Sequence, residues 1–372
     1  MISLPSLDAL PAQVQRVVGP DANPKMQLVA ARGILPGVRA GDIVTALCLL
    51  ARSASAEVAG TADKTLASLP DTLLHGAIGT PGLASAAIDA LARHYLHRED
   101  VIEPLLRQTA LDIETVEHLA ANGSEAVTQL VATNEERMLA HPHLIELLYT
   151  NRHTRMSTAD RLVELAVRHD IQLHGIAAWK EIAQAIKGEL IPEPSDEPLP
   201  EDEFFKETAA LAEALVAAEE EDVCREDEQG TETLLDRYEP LFKRLSEMTV
   251  SQRIRRAYLG TKEERLLLVR ESNKMVATAA IRSPQMRESE VALIARNRAV
   301  CDDVLRIIGS APEWLRSYQV KRNLVENPKT PVTISQKLIS HLRETDLRRL
   351  ARNKNISAAV QLAAKRQLER RT

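Results

Sequence analysis

Apolar residues recur at a spacing of three to four positions in the stretch FFKETAALAEALVAAEEED, which begins at residue 204. These positions are Phe204, Phe205, Ala209, Leu211, Ala212, Leu215 and Val216. Such a spacing places the residues on one face of an α-helix. The pattern therefore predicts an amphipathic helix over about 204–218, whose apolar face needs a partner surface. The stretch CREDEQGTE that follows at 224–232 predicts a loop.

A second pattern is a recurring joint between helices. The stretch NPKTPVTISQKLISHL from Asn327 matches NRHTRMSTADRLVELA from Asn151. ARNRAVCDDVLRII from Ala295 likewise matches ARNKNISAAVQLAA from Ala351. Intervals of 24, 30 and 26 residues separate, in order, Asn273, Asn297, Asn327 and Asn353. An irregular period of this length is typical of short helical repeats.

The residue types at the 327–331 joint suggest how one helix ends and the next begins. Asparagine tolerates the left-handed conformation that often ends a helix, so we expect Asn327 to adopt it. Thr330 can cap the next helix by accepting a backbone N–H. Pro331 suits the first helical position because it lacks the N–H that would be unpaired there. The sequences STAD at 157–160 and TKEE at 261–264 resemble capping boxes and predict two further helix starts.

Composition favours helices over strands. Only 3% of the 372 residues are aromatic, and leucine, alanine, valine and isoleucine carry most of the apolar content. Strand-rich domains favour β-branched and aromatic residues, so we expect an all-α fold. A single helix-turn-helix unit exposes an apolar face and gains stability only by stacking on its neighbours, which predicts an α-solenoid.

The Asn-Pro-x-Thr-Pro joint and the ending DLRRLARNKNISAAVQLAAKR resemble the leucine-rich repeat variant and HEAT-like helical repeats of bacterial proteins. The whole chain, including LLYTNRHTRMSTADRLVELAV, also resembles a set of uncharacterised bacterial proteins. The resemblance implies an α-solenoid of such repeats in two arrays and a binding role, and it supplies no catalytic residues. Some leucine-rich repeat variant proteins add a cysteine-ligated iron–sulfur module, for which Cys48, Cys224 and Cys301 are not clustered.

Charge and proline content divide the chain into three parts. The stretch KGELIPEPSDEPLPEDE at 187–203 contains four prolines among acidic residues and indicates a linker. Residues 189–239 carry 3 Lys+Arg against 19 Asp+Glu, a net of −16, whereas 250–372 carry 26 against 12, a net of +14. We predict an N-terminal helical-repeat array over 1–186, an acidic Pro/Glu-rich linker with one amphipathic helix over 187–239, and a basic C-terminal array over 240–372.

Catalytic and metal sites find little support in the sequence. His94 and His97 lie three residues apart, but zinc needs a third and a fourth ligand that nothing marks. GTPG at 79–82 and LGTKEE at 259–264 lack the glycine spacing of a phosphate-binding loop, and no serine or cysteine lies in an activating pattern. We expect no enzyme, metal or cofactor. The alternative is a helical-repeat hydrolase or glycosylase-like enzyme, whose first sign would be a buried carboxylate in a concave pocket.

The sequence also contains features that bear on the cellular compartment of the protein. The N-terminal stretch MISLPSLDALPAQVQRVVG has neither a basic region nor a long apolar core, and the apolar runs of the chain are shorter than a bilayer span. Three widely spaced cysteines fit a reducing compartment. We therefore expect a cytoplasmic protein that does not enter a membrane.

The basic C-terminal block is the best candidate for a functional surface. Its candidate partner-binding residues are Arg253, Arg255, Arg256, Arg316, Lys321, Arg322, Arg348 and Arg349. We expect a scaffold or adaptor whose basic face binds acidic groups of a protein partner. The alternative is that this face follows the backbone of duplex nucleic acid, since aromatic residues for stacking on single-stranded bases are scarce. The tethered acidic segment would then mask the basic face.

Overall fold

The computed structural model describes residue 5 and residues 10–19, 22–187, 189–215, 222–226, 232–353 and 355–371. These residues form 24 α-helices and one two-stranded hairpin, so the chain is mostly helical, as predicted. The chain divides into two compact units, Met1–Leu162 and Val163–Thr372, called unit 1 and unit 2. Among the described residues, no helix is both long and apolar enough to cross a lipid bilayer.

Unit 1 consists of short helices joined by tight turns. Its helices are α1 (Ala12–Val18), α2 (Pro24–Ala31), α3 (Ala40–Leu50), α4 (Ala56–Ala67), α5 (Asp71–Ile78), α6 (Ser85–His94), α7 (Glu99–Leu106), α8 (Ile113–Asn122), α9 (Glu125–Ala132), α10 (Glu135–Ala140) and α11 (His143–Thr150), and α12 (Met156–Arg168) begins here. Helices two apart in sequence pack together, including α2 on α4, α3 on α5 and α6 on α8. Their contacts bury aliphatic side chains such as Leu47, Ile88 and Leu119.

Unit 2 repeats this packing pattern. Its elements are α13 (Trp179–Ile186), α14 (Pro200–Ala214), β1 (Cys224–Glu226), β2 (Glu232–Leu234), α15 (Glu239–Glu247), α16 (Val250–Leu259), α17 (Lys262–Leu268), α18 (Lys274–Ile281), α19 (Glu288–Arg296), α20 (Asp302–Ile308), α21 (Tyr318–Glu326), α22 (Val332–Ile339), α23 (Glu344–Arg352) and α24 (Ala358–Glu369). α16 packs on α18, α19 on α21, and α22 on α24. Ile254, Val276 and Leu324 are among the fully buried side chains.

The acidic segment contains both helix and strand. α14 lies where the amphipathic helix was expected, although residues 216–218 of that prediction lie outside the described residues. It buries Phe205, Thr208 and Ala212 on one face. The predicted loop over 224–232 is wrong at both ends, because β1 and β2 pair as antiparallel strands with Cys224 opposite Leu234.

The asparagine joints differ from the prediction in backbone conformation. Asn327 follows α21 with φ −78° and ψ 121°, which is extended rather than left-handed. Hydrogen bonds of the Asn327 side chain account for the extended backbone conformation. Oδ1 accepts the N–H of Lys329 at 3.0 Å. Nδ2 donates to the carbonyls of Ala295 and Asn297 at 2.9 and 2.8 Å, which ties the joint to the joint before it.

The same arrangement occurs in unit 1 at Asn151, which is also extended. Its Oδ1 accepts the N–H of His153 at 2.9 Å, and its Nδ2 donates to the carbonyls of Ala120 and Gly123 at 3.0 and 3.1 Å. Asn151 is 5% exposed and Asn327 is 4% exposed. Buried polar groups are stable only when they are hydrogen-bonded, so each joint is held by its amide.

The capping box predicted at TKEE is confirmed. The N–H of Thr261 donates to Oε2 of Glu264 at 2.7 Å, and Oγ1 of Thr261 accepts the N–H of Glu264 at 3.4 Å. α16 begins with a box that the sequence reasoning missed. There the N–H of Thr249 donates to Oε1 of Gln252 at 3.1 Å, and its Oγ1 accepts the N–H of Gln252 at 3.3 Å.

Two other predicted helix starts are wrong by one or two residues. α22 begins at Val332, so Pro331 precedes the first helical residue. Thr330 does not cap it, and Oγ1 of Thr330 is buried with no hydrogen-bond partner among the described residues. At STAD, α12 already begins at Met156, which places Ser157 inside the helix rather than before it.

Candidate partner-binding surface

The eight predicted partner-binding residues lie in two different environments of unit 2. α16 carries Arg253, Arg255 and Arg256. The other five lie on or beside α21 and α23, and they are Arg316, Lys321, Arg322, Arg348 and Arg349. The α16 residues are buried or half-buried, whereas the other five are half-buried or exposed. One exposed face does not include all eight.

Arg255 and Arg256 are interior residues. Nε and Nη2 of Arg256 donate to the two carboxylate oxygens of Glu264 at 2.7 and 2.6 Å, and Arg256 is 7% exposed. Arg255 is fully buried. The ring of Phe205 from α14 lies 5.3 Å from the guanidinium carbon of Arg255 and 5.0 Å from that of Arg256. This corrects the prediction for both residues, because α14 and Glu264 enclose them.

Arg265 of α17 forms a second buried ion pair. Its Nε and Nη2 donate to the carboxylate of Glu290 at 2.9 and 2.8 Å, and its Nη1 donates to the carbonyl of Gly260 at 2.7 Å. Loss of hydration disfavours a buried charge unless it is paired and hydrogen-bonded. The same loss raises the pKa of Glu264, although its contacts with Arg256 oppose the shift.

Residues of the acidic segment contact this part of the basic block. Oδ1 of Asp222 accepts from Nη2 of Arg270 at 2.6 Å. A carboxylate oxygen of Glu207 lies 3.4 Å from Nη2 of Arg244. Oε1 of Glu189 accepts the N–H of Ser251 at 3.0 Å, at the start of α16. The acidic segment therefore neutralises charge near α15 to α17.

Arg322 and Arg349 lie at the surface but are already paired. Nε of Arg322 lies 3.0 Å from Glu326 and 3.5 Å from Asp346. Arg349 pairs with the same two carboxylates, at 3.9 Å from Asp346 and in closer contact with Glu326. Burial and the nearby charge of Arg322 lower the pKa of Arg349. A partner would have to compete with two internal carboxylates for these guanidiniums.

Three of the predicted residues keep a more accessible charge. Arg348 pairs with Glu344 across one turn of α23, yet 68% of its side chain remains exposed. Arg316 is exposed and Lys321 is half-buried, and neither forms an ion pair with a carboxylate in the described part of the chain. Arg253 of α16, by contrast, pairs with Glu271 and keeps only 20% of its side chain exposed.

Sequence reasoning missed a groove between α22 and α24, which we call the C-terminal groove. Its volume is about 430 Å³, and its lining includes the apolar residues Ile339, Ala359, Leu362 and Ala363 and the basic residues Arg366 and Arg370. Leu362 is 48% exposed. Neither arginine forms an ion pair with any described carboxylate. The signal in the sequence is the three-to-four spacing of the α24 residues of this lining.

α23 presents a second, more polar groove. It has a volume of about 640 Å³, and its lining is Thr345, Arg348, Arg349, Arg352 and Asn353. Residues 340–372 carry 9 Lys+Arg against 3 Asp+Glu, a net charge of +6. The positive charge of the last two helices therefore belongs largely to accessible side chains.

The histidine and cysteine residues considered as candidates for metal binding or catalysis lie in surroundings that give them a structural role. Nε2 of His94 lies 3.3 Å from Asp63. Burial raises the pKa of Cys48 to about 12, so its thiol is protonated at neutral pH. Within the described ranges, no three His, Cys, Asp or Glu side chains are arranged to hold a metal ion.

Comparison with known proteins gives no relative, because no protein-family model, curated protein or solved structure matches this chain. The function of this chain is therefore inferred from the grooves and charged side chains of unit 2.

Proposed function

We propose that this protein is a non-enzymatic scaffold or adaptor that binds an acidic, amphipathic helix of a protein partner in the C-terminal groove. The supporting observation is one groove that combines a half-exposed leucine with two arginines that lack carboxylate partners among the described residues. A helix with one apolar and one acidic face would bury Leu362 and pair with Arg366 and Arg370 at the same time.

The dimensions and lining of the groove suit anchor side chains. About 430 Å³ is too small for a whole helix but accommodates apolar side chains from one helical face. Ile339 of α22 and Ala363 of α24 provide contacts for such side chains, and the small residue Ala359 permits close approach. The two arginines of the lining then set the charge preference of the bound helix.

The scaffold is, in this proposal, an α-solenoid of HEAT-like or leucine-rich-repeat-variant repeats. Packing between helices two apart in sequence, in both units, supports this. So do the Asn151 and Asn327 joints, which bind carbonyl groups 28 to 32 residues earlier in the chain. Stacked repeats of this kind present extended grooves to protein partners.

Duplex nucleic acid is the second candidate, and the arginines on α23 favour it. Arg348, Arg349 and Arg352 line one open groove and could contact phosphate groups. Two observations weigh against it. The carboxylates of Glu344 and Asp346 lie on the same helix and bind two of these arginines. The exposed Leu362 also has no counterpart on a phosphate backbone.

The test is a fluorescence anisotropy titration of the intact protein with a labelled designed helix that has leucine on one face and glutamate on the other. We expect saturable binding, and we expect Arg366→Glu to weaken it at least about tenfold. The matched control is Lys365→Glu, the neighbouring residue on α24, which is exposed and outside the groove lining. It should change the dissociation constant by less than about twofold.

Equal losses in the two variants would contradict the proposal, because they would indicate nonspecific attraction to positive charge. Leu362→Ser provides a second test, since it removes the apolar contact and leaves every charge in place. Titration of labelled duplex DNA addresses the second candidate. Tighter binding of the duplex than of the peptide, with a steep decrease as salt rises, would favour nucleic acid.

A further inference from the structure

A separate cavity of about 520 Å³ lies beside the β-hairpin of unit 2, and we call it the hairpin pocket. Its wall is mainly apolar, with contributions from Leu234 of β2, Phe242 and Leu245 of α15, and Leu267 and Leu268 of α17. Phe242 is 52% exposed, which leaves a large apolar surface in contact with water. Cavities of this size with such a lining are typical of small-molecule sites.

Three charged side chains, Arg253, Arg270 and Glu271, interrupt the apolar wall. Nη1 of Arg253 donates to Oε1 of Glu271. Nε of Arg253 and Oε2 of Glu271 are also buried, yet neither has a hydrogen-bond partner among the described residues. Buried polar atoms without partners are rare because they lose their hydrogen bonds to water. A ligand that supplies one acceptor and one donor would satisfy both.

The charge balance of the pocket favours a neutral ligand. Glu271 cancels the charge of Arg253, and Asp222 cancels that of Arg270, the other arginine in the lining. A charged ligand would lose its hydration without gaining an unpaired counter-charge. Burial also raises the pKa of Glu271, although its contacts with Arg253 lower it, so the surroundings of this carboxyl disfavour added negative charge.

We infer that the hairpin pocket binds a small neutral molecule with an apolar body and one carboxamide-like group. The carbonyl oxygen of that group would accept from Arg253, and its N–H would donate to Glu271. The pocket shares no lining residue with the C-terminal groove, so this inference and the proposed function can fail separately.

The test uses the intact protein and two probes, naphthalene carboxamide and methylnaphthalene, which share an apolar body and differ in the polar group. Binding is measured by saturation-transfer NMR and competition titration. We expect saturable binding of the carboxamide, at least about tenfold tighter than that of methylnaphthalene. Failure of the carboxamide to bind, or equal affinity of the two probes, would overturn the inference.

Two single substitutions locate the bound probe. Ala299 is an exposed residue of the lining, so Ala299→Trp should fill the pocket and abolish binding without disturbing the core. Arg298→Trp places the same side chain on the preceding exposed residue, which is outside the lining, and should leave binding unchanged. Full binding in Ala299→Trp would place the probe elsewhere and overturn the inference.

A double substitution tests the polar contact. Arg253→Met with Glu271→Leu removes both charges together, so neither is left unpaired, and it keeps an apolar pocket of similar size. We expect this variant to bind the two probes with similar affinity. Circular dichroism is used to check that the variant is folded. A carboxamide preference that persists in the folded double variant would contradict the assigned contacts. Should the variant fail to fold, the Ala299→Trp and Arg298→Trp pair still decides the outcome.

Discussion

On α16 and α17, the side chains of Arg255, Arg256 and Arg265 are buried, and Arg256 and Arg265 each bind a carboxylate. Arg366 of α24 and Arg370, which directly follows α24, are exposed and pair with no carboxylate in the described part of unit 2. Both sets belong to the same basic block of the sequence. The difference shows that positive charge along a chain is available to a partner only where internal carboxylates have not already paired with it.

Arginine has a different role in each of these two regions. A buried guanidinium has lost its hydration, so its stability depends on its partner. An exposed guanidinium remains hydrated, and an ion pair adds little to it. Substitutions should therefore affect folding on α16 to α19 and binding on α24.

The largest expected effect is at the buried pair of Arg265 and Glu290. Glu290→Leu leaves the guanidinium of Arg265 buried without its carboxylate, which should lower the free energy of unfolding by about 3–5 kcal/mol. The measurement is urea unfolding followed by circular dichroism. The double variant Arg265→Met with Glu290→Leu should recover most of the loss, because no buried charge remains unpaired.

The matched control is Glu344→Leu on α23, which removes the carboxylate partner of the exposed Arg348. Surface pairs contribute about 0–1 kcal/mol, so this change should fall in that range. If Glu290→Leu and Glu344→Leu lowered the free energy of unfolding by similar amounts, the distinction between buried and exposed ion pairs would be contradicted.

The same contrast of burial applies to the asparagine joints. Asn327→Ala leaves the carbonyls of Ala295 and Asn297 without their donor, and we expect it to cost about 2–3 kcal/mol. Asn353 is half-buried, and among the described residues its side chain accepts only the N–H of Asn355, at 2.9 Å, so Asn353→Ala should cost about 1 kcal/mol. Both are measured by urea unfolding, and a larger loss for Asn353→Ala would contradict the assigned contacts.

A smaller effect is expected in the pH dependence of stability. Burial raises the pKa of Glu271 above its ordinary value of 4.5, so the folded protein holds this proton to a higher pH than the unfolded chain does. The contribution of Glu271 to stability therefore falls as pH rises from 4.5 through the raised pKa. Glu271→Gln cannot ionise, so its unfolding free energy should fall less with pH over this range. Parallel curves for the two proteins would show that Glu271 does not have a raised pKa.

The smallest expected change in stability is at Arg366. Arg366→Glu alters an exposed side chain without an ion pair among the described residues, so the free energy of unfolding should change by less than about 0.5 kcal/mol. Binding of the acidic helix should nevertheless fall. A large loss of stability in urea unfolding would mean that Arg366 supports the fold rather than a partner.

Local features of the fold were predictable from the sequence. The mostly helical class follows from composition, and the TKEE capping box follows from residues three positions apart. The joints were found at Asn151 and Asn327, but their conformation was not, because it depends on carbonyl groups about 30 residues earlier in the chain.

The candidate partner-binding surface was less predictable for the same reason. Glu290 lies 25 residues from Arg265 in sequence, and Phe205 is still farther from Arg256, so no local pattern reveals that these arginines are enclosed. The C-terminal groove has a local signal on α24, yet the exposure of Leu362 depends on how α22 packs beside it. The strands of the hairpin are three residues each, too short for alternation to distinguish them from a loop.

Arginine modification of the folded protein with phenylglyoxal, followed by peptide mass spectrometry, measures the accessibility of every guanidinium in one experiment. We predict rapid modification of Arg366 and Arg370, and protection of Arg255, Arg256 and Arg265 until the protein unfolds. Equal reaction rates for the two sets in the folded protein would contradict the separation of structural arginines from those available to a partner.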